Sequence, residues 1–332
     1  MEKQWKVIVT DFIEPDLNWE AEQLALPNVT FTTHQLKYAP ETEVIESIND
    51  ADILIVNMTP MNKNVIQRLQ KCKLLIRHGV GYDNIDVPAL TKKGIILVNL
   101  PGYCTQEVAE QAIMLIFATA RKLMKQQESM ALSVKKGEWD FEMVYPIHQI
   151  NRKTLGIVGC GRIGSTVLKC MRGFDLNFLV CDPYLTEERK SELEIQTVPL
   201  ETVLRESDII TIHACLTDET YHLIGEEQFN MMKSSAFIIN TARGSIIDQN
   251  ALIKACTEKR IAGAAIDVYE YREPPATTSE LLRLDNVTLT PHLAWYSVES
   301  DWNIRKKIIE NVLTFINGKL PHNIVNPEAL RR

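Results

Sequence analysis

The chain has 332 residues, 45% hydrophobic and 24% charged, with 14 Gly and 14 Pro. That length suits two domains of ordinary size, and the composition excludes mini-protein, collagen-like and disordered classes. A net charge of −7, from 36 Lys+Arg against 43 Asp+Glu, with basic runs no longer than Arg305-Lys306-Lys307, leaves no nucleic-acid footprint.

In chain order, short β-rich runs alternate with helical patterns. The first set is Lys6–Thr10, Ile53–Val56, Leu74–Arg77 and Ile95–Val98, separated by polar, helix-permissive stretches. This is the rhythm of a parallel α/β sheet. A long helical segment, Glu107–Met124, and a loop around residues 134–150 follow. The rhythm then restarts with Leu155–Val158, Phe178–Cys181, Ile209–Ile212, Ala236–Ile239, Ala262–Ile266 and Val287–Leu289, which predicts a second sheet. Ile304, Ile308, Ile309, Val312, Leu313 and Ile316 give the last region, Val298–Asn317, a helical stripe that Gly318 and Pro321 end. Candidate hinges are Asn99–Gly102 and the region around Pro291.

No apolar run reaches the roughly 18 residues of a membrane span, and Met1–Lys6 leads into no signal-peptide core, so a cytoplasmic protein is expected. The 7 cysteines form no CxxC pair and fall mostly in apolar runs, which predicts reduced, buried thiols. Neither HExxH nor paired Cys/His spacing occurs, so no metal site is expected.

The strongest local signal is a strand, Leu155–Val158, running into Gly159, Gly161 and Gly164 in GxGxxG spacing and then into the helical pattern Val167, Leu168, Met171. Gly159 permits a tight turn, Gly161 lets a pyrophosphate approach the backbone at a helix N-terminus, and Gly164 permits close helix-to-strand packing. Arg162 is placed beside the phosphates. Asp182, at the tip of the next strand, is suited to accept bonds from adenosine ribose hydroxyls and disfavours a 2′-phosphate. The pattern therefore predicts NAD rather than NADP. A glycine turn of this kind also serves other Rossmann-like folds, methyltransferases among them.

Three later strand ends carry polar residues. Arg243 follows Ile238–Ala242 and precedes Gly244; its planar fork suits a carboxylate. Asp267, Glu270 and Glu273 cluster past the strand ending at Ile266, before Pro274 and Pro275. His292 follows Pro291 at a third strand tip. An arginine to hold an anionic substrate, a histidine to exchange a proton and a carboxylate to orient that histidine make a hydride-transfer site beside a nicotinamide. Each taken singly is equally at home on a surface; their shared position at carboxyl ends of strands sets them apart.

These residues resemble the D-isomer-specific 2-hydroxyacid dehydrogenase family over nearly the full length. The matching blocks are Gly79–Asp86, Asn99–Gly102 through Val108–Glu110, the glycine loop, His213–Thr217, Asn240–Gly244, Ala265–Val268 and Thr290–His292. Pro291–Ser297 is similar to the branch that includes the C-terminal-binding-protein corepressors. The resemblance implies two Rossmann-like, doubly wound parallel-sheet domains: a discontinuous substrate domain, residues 1–100 and 293–332, clasping an NAD domain, residues 101–292, with the active site in the cleft. It also implies a homodimer. On that pattern Arg243 binds the substrate carboxylate and carbonyl, and His292 protonates the carbonyl oxygen as hydride arrives from NADH. Val80 and Gly81 amides help hold the carboxylate, and Trp295 lines the pocket. Thr105, Ile163, His213, Thr241, Ala242 and Asp267 join Gly159, Gly161, Arg162, Gly164 and Asp182 around the cofactor.

The sequence departs from the family at one point. Relatives place the catalytic Glu five residues after the Asp of the Asp-Val pair, where this chain has Arg272; a one-residue insertion restores the match at Glu273, whose spacing to His292 is the family's. Glu273 is therefore taken over Glu270 as the partner of His292, and a Glu there argues against the formate-oxidising branch, which carries Gln. The chain stops soon after its closing helix, so the regulatory extension of long phosphoglycerate dehydrogenases is not expected. The leading expectation is an NADH-dependent reductase of a small 2-oxo acid; the alternative is an NAD(H)-sensing corepressor-like scaffold with little turnover. Tyr82, Tyr103, Trp139 and Tyr145 are further candidates for shaping substrate choice. His34, His78, His148, His222 and His322 are expected to be structural.

Overall fold

A computed structural model describes residues 3–271 and 273–331. Arg272, on which the alignment of the acidic loop turned, and Met1, Glu2 and Arg332 lie outside the described residues. The chain divides into two compact units, Met1–Tyr103 with Ser297–Arg332, and Cys104–Tyr296.

In the first unit the order is β1 (Trp5–Val9), α1 (Asn18–Gln23), β2 (Val29–Thr33), α2 (Glu41–Ile48), β3 (Ile53–Val56), α3 (Lys63–Arg68), β4 (Leu74–Arg77), α4 (Val87–Lys93) and β5 (Ile96–Val98). All pairings are parallel, in the order β2-β1-β3-β4-β5. Every residue of β3 is buried, as an interior strand covered on both faces requires, so its sequence is an unbroken apolar run. At the edge, β2 (Val-Thr-Phe-Thr-Thr) is only partly buried, and its mixed polarity hid it from the sequence pattern. Asp86 caps α4 by accepting from the Ala89 N–H at 2.9 Å, and Gly94 ends the helix with a φ of 66°.

The second unit contains α5 (Thr105–Ala120), α6 (Leu123–Lys136), β6 (Thr154–Val158), α7 (Arg162–Met171), β7 (Asn177–Cys181), α8 (Glu187–Leu193), α9 (Leu200–Glu206), β8 (Ile209–Ile212), α10 (Glu226–Met231), β9 (Phe237–Asn240), α11 (Gln249–Thr257), β10 (Gly263–Ile266) and β11 (Val287–Leu289). The last helix, α12 (Val298–Ile316), returns to the first unit. The sheet order is β11-β10-β9-β8-β6-β7, again all parallel. Strand order therefore reverses between β6 and β8, where doubly wound sheets bind ligands. Apolar side chains fill both faces: Ile238, Phe229 and Leu252 on one side, Leu155, Leu168 and Leu115 on the other.

Several expectations need correction. The single helix read over Glu107–Met124 is two, because Lys122 adopts a left-handed φ of 53° and the chain turns before α6. The compact units are bounded at 103/104 and 296/297, and the Leu293 and Ala294 amides are tied within the second unit to Asp267 at the end of β10. The 7 cysteines form no disulfide, but Cys170 and Cys215 are exposed rather than buried. Among the described residues no helix is long and apolar enough to cross a membrane.

Candidate active site

The glycine loop leaves β6 at the point where the strand order reverses. Gly159 has a φ of 85°, and a Cβ there would meet the Ala214 backbone at 2.6 Å; at Gly164 a Cβ would lie 2.2 Å from the Gly159 carbonyl oxygen. Both glycines are dictated by the fold itself. Gly161 differs, since nothing lies within 4 Å of where its Cβ would be, so the room it leaves faces outward. That opening lies at the N-terminus of α7, beside Arg162 and Ile163, with no side chain capping the helix. Such a cradle fits a pyrophosphate on free amides.

At the tip of β7 the Asp182 carboxylate accepts from the Cys160 N–H at 2.7 Å and the Tyr184 N–H at 3.0 Å, which fixes it next to the loop. His213 follows β8; its Nε2 lies 3.0 Å from the Thr211 hydroxyl, and burial pushes its pKa down to about 4, leaving a neutral ring. Thr241, past β9, is buried, and its hydroxyl has no hydrogen-bond partner among the described residues. An orphaned hydroxyl between Asn240 and Ala242 is the kind of group a bound nicotinamide would satisfy. Thr105 opens α5 and is partly buried. The residues present thus fit a dinucleotide.

The proton-handling group is assembled from the ends of β9, β10 and β11. Glu273 Oε2 lies 2.5 Å from His292 Nδ1, and its Oε1 accepts from the Tyr269 N–H at 3.0 Å. Burial raises the Glu273 carboxyl, but the bond and charge of His292, the Tyr269 N–H and the Arg243 charge outweigh it and hold the group below its ordinary value. It is a carboxylate at neutral pH. His292 has a left-handed φ of 54°. Its turn is fixed by Asp267, which is fully buried and accepts from the Thr290 hydroxyl at 2.5 Å, the Leu293 N–H at 3.2 Å and the Ala294 N–H at 3.0 Å. Tyr269 also ties this turn, donating its hydroxyl to the Thr290 carbonyl at 2.8 Å. Arg243 donates to the Ala242 carbonyl at 2.8 Å, while the Asn240 side chain donates to the Arg243 carbonyl at 2.9 Å. Trp295 is partly buried, edge-on to Tyr296.

In the first unit, Gly79–Gly81 continue from β4. Gly79 has a φ of 143°, and a Cβ there would sit 2.4 Å from the Arg77 guanidinium. The Asn99 side chain donates to the Val80 carbonyl at 2.8 Å and the Leu100 N–H to the Gly79 carbonyl at 2.9 Å, so the loop is held through its carbonyls. Beneath it His78, pushed down to about 4 by burial and by Arg77, lies 3.2 Å from Glu14, whose carboxyl burial raises. Of the further aromatic candidates, Tyr103 is buried, Tyr82 is partly exposed, and Trp139 and Tyr145 stand at the surface.

The structure thus places Glu273, not Glu270, on His292. Sequence reading missed Tyr269 and the anchoring role of Asp267, because a backbone N–H that orients a carboxylate leaves no trace in residue type. It also missed that Glu270 has a histidine of its own, His222, at 2.5 Å.

Known proteins resemble this chain over most of its length. Residues 113–294 match the model of the D-isomer specific 2-hydroxyacid dehydrogenase NAD binding domain. A glyoxylate reductase of Korarchaeum cryptofilum is 40% identical over 87% of this chain and 86% of its own length. A D-3-phosphoglycerate dehydrogenase of Archaeoglobus fulgidus is 39% identical over 86% of this chain, which spans 53% of that protein. The structure of D-lactate dehydrogenase from Aquifex aeolicus with NAD and lactic acid superposes with a TM-score of 0.84 at 30% identity, covering 96% of this chain and 99% of that one. The chain belongs to the D-isomer specific 2-hydroxyacid dehydrogenases. It is an NAD-dependent oxidoreductase whose substrate class is the 2-oxo and 2-hydroxy acids.

Proposed function

We propose that the protein reduces small 2-oxo acids with NADH, glyoxylate foremost, giving the D-2-hydroxy acid where the product has a stereocentre. The observation that carries this reading is the 2.5 Å Glu273–His292 pair with the Arg243 charge beside it, at the carboxyl ends of β9 to β11. Relatives named glyoxylate reductase at 40% and 38% identity support glyoxylate as the first acid to try. They carry enzyme names and lend nothing to the scaffold alternative.

Residues 104–296 serve as the NAD domain, and 1–103 with 297–332 as the substrate domain. Bound NADH supplies the hydride. The Gly161 opening and the α7 N-terminus take the pyrophosphate, with Arg162 and Ile163 alongside; Asp182 takes the adenosine ribose, and Thr105, His213, Thr241 and Ala242 line the nicotinamide half. Asp267 adds a cofactor contact to its hold on the His292 turn. Arg243 grips the substrate carboxylate, and Trp295 walls the side-chain pocket. Glu273 accepts from His292 Nδ1, which leaves Nε2 to deliver its proton to the carbonyl oxygen as the alkoxide develops.

The protein acts as a homodimer in the cytoplasm. Leu123, Met124, Met130 and Val134 of α6, with Trp139, Phe141 and Tyr145 after it, form an exposed apolar strip that suits a second copy, and seven cysteines outside disulfides suit a reducing compartment. Sedimentation of the purified protein at twice the monomer mass supports the dimer; a monomer at micromolar concentration refutes it. The catalytic reading is tested by NADH oxidation against glyoxylate, pyruvate and hydroxypyruvate, with NADPH in parallel. NADH-dependent turnover of at least one acid is expected; tight NADH binding without turnover on any of them would overturn the assignment.

A further inference from the structure

The acidic loop carries a second glutamate–histidine pair that the proposed chemistry does not use. Glu270 is almost fully buried, its side chain 5% exposed; Oε1 lies 2.5 Å from His222 Nε2, and Oε2 accepts from the Gln249 N–H at 3.0 Å. His222 has a left-handed φ of 50°, stacks on Tyr221 at 4.0 Å, and donates its own N–H to the Ser245 carbonyl at 2.8 Å. One carboxylate therefore joins three segments: the His222 loop, the turn from Gly244 to Gln249, and its own loop between Tyr269 and Glu273.

Those segments are the ones that carry the site. Gly244, directly after Arg243, packs so closely that a Cβ would lie 2.1 Å from the Tyr269 carbonyl carbon and 2.4 Å from the Glu270 nitrogen. Tyr269 in turn gives its N–H to Glu273. A shift of the Glu270 carboxylate is thus transmitted through one peptide to both the arginine and the carboxylate that orients His292. The fold does not depend on it in the same way. Ile246 and Ile247 anchor the turn in the apolar core, and backbone bonds from Ile224 to Ile246 and from Asp248 to Ile224 hold it to the neighbouring loop.

We propose that Glu270 and His222 are positioning residues that set the Arg243 turn against the Tyr269–Glu273 loop, and so fix where the 2-oxo acid carboxylate sits relative to the proton donor. The part concerning the acid rests on the function proposed above. A hydrogen-bonded clamp adds a directional restraint to the apolar anchoring of the turn, and so defines position to within a fraction of an ångström.

The test compares Glu270→Ala, Glu270→Gln, His222→Ala and the double alanine variant with the parent. Measured are kcat and KM for glyoxylate, NADH affinity, Tm, and hydrogen–deuterium exchange of the peptide covering residues 241–250. For Glu270→Ala, kcat/KM for the acid falls about ten- to a hundredfold, through KM and kcat together, with NADH affinity within about twofold of the parent. Exchange of the 241–250 peptide speeds up. Glu270→Gln, which can still accept from the Gln249 N–H, recovers most of the loss, and the double variant is no worse than Glu270→Ala alone. An inactive parent sinks the reductase reading but leaves the exchange measurement standing. Unchanged exchange in Glu270→Ala, or a loss confined to Tm with kcat/KM intact, sinks the positioning pair.

Discussion

His292 occupies a left-handed backbone conformation that costs a non-glycine residue of order 1 kcal/mol or more, and such strain persists only where neighbours over-determine it. Here the neighbours are identifiable: three donors from residues 290, 293 and 294 converge on buried Asp267, and the ring is held by Glu273. Glu273 is therefore the residue whose loss is most informative. Glu273→Gln keeps shape and one acceptor but removes the charge, and it should lower kcat about 10²-fold or more while leaving NADH affinity near the parent's. The pH dependence has a definite sign. Because the folded carboxyl titrates below its ordinary value, kcat/KM in the parent should stay level as pH falls toward the usual carboxylate range and decline only below it. A parent decline already centred above that range would show that Glu273 is not the group that must stay ionised. The choice between two glutamates was legible from spacing to His292. Glu273's part as the partner of His292 was legible with it; the Tyr269 N–H that holds Glu273 and the histidine 48 residues from Glu270 were not.

Elements were legible where burial imposes a pattern. The interior strands β3, β6, β8 and β9 announce themselves as short, mostly apolar runs that are almost wholly buried, whereas edge strand β2, half in water, does not, and the break between α5 and α6 turns on one left-handed lysine. The glycine loop was readable by motif, but the motif does not say which glycine serves the fold and which a ligand. Structure separates them. Gly164→Ala drives a methyl into the Gly159 carbonyl and should destabilise by about 1–3 kcal/mol, seen as a lower Tm. Gly161→Ala meets no protein atom and should leave Tm near the parent's while weakening NADH binding about tenfold or more. Equal Tm losses in the two variants, or unimpaired NADH binding by Gly161→Ala, would contradict the division of roles.

Across the whole molecule, two buried histidines couple stability to pH, in different ways. His78 and His213 are both pushed down to about 4, so each takes up a proton on unfolding once pH falls below 6.5, and its contribution to stability drains away between 6.5 and about 4. In the first unit Glu14 works against this, because its raised pKa means that the folded state gains a proton there in acid. The share carried by His213, in the second unit, is separable from that pair. In His213→Gln the fall of unfolding free energy with decreasing pH should flatten by up to one proton, about 1.4 kcal/mol per pH unit, read from urea titrations at several pH values. An unaltered slope would show that His213 is not the titrating group. The division into two parallel-sheet units was legible from the restarted βα rhythm, while Asp267's hold on the turn after His292 is a contact no periodicity encodes.

The central claim is that one histidine, oriented by Glu273, delivers the proton in an NADH-dependent reduction. Its most direct test is the rate of NADH oxidation with saturating glyoxylate for parent and His292→Ala, with the NADH dissociation constant of each measured by fluorescence. Expected are turnover by the parent, a loss of about 10²- to 10⁴-fold in the variant, and NADH binding unchanged within about twofold. Full turnover by His292→Ala, or loss of NADH binding in step with loss of rate, would contradict it.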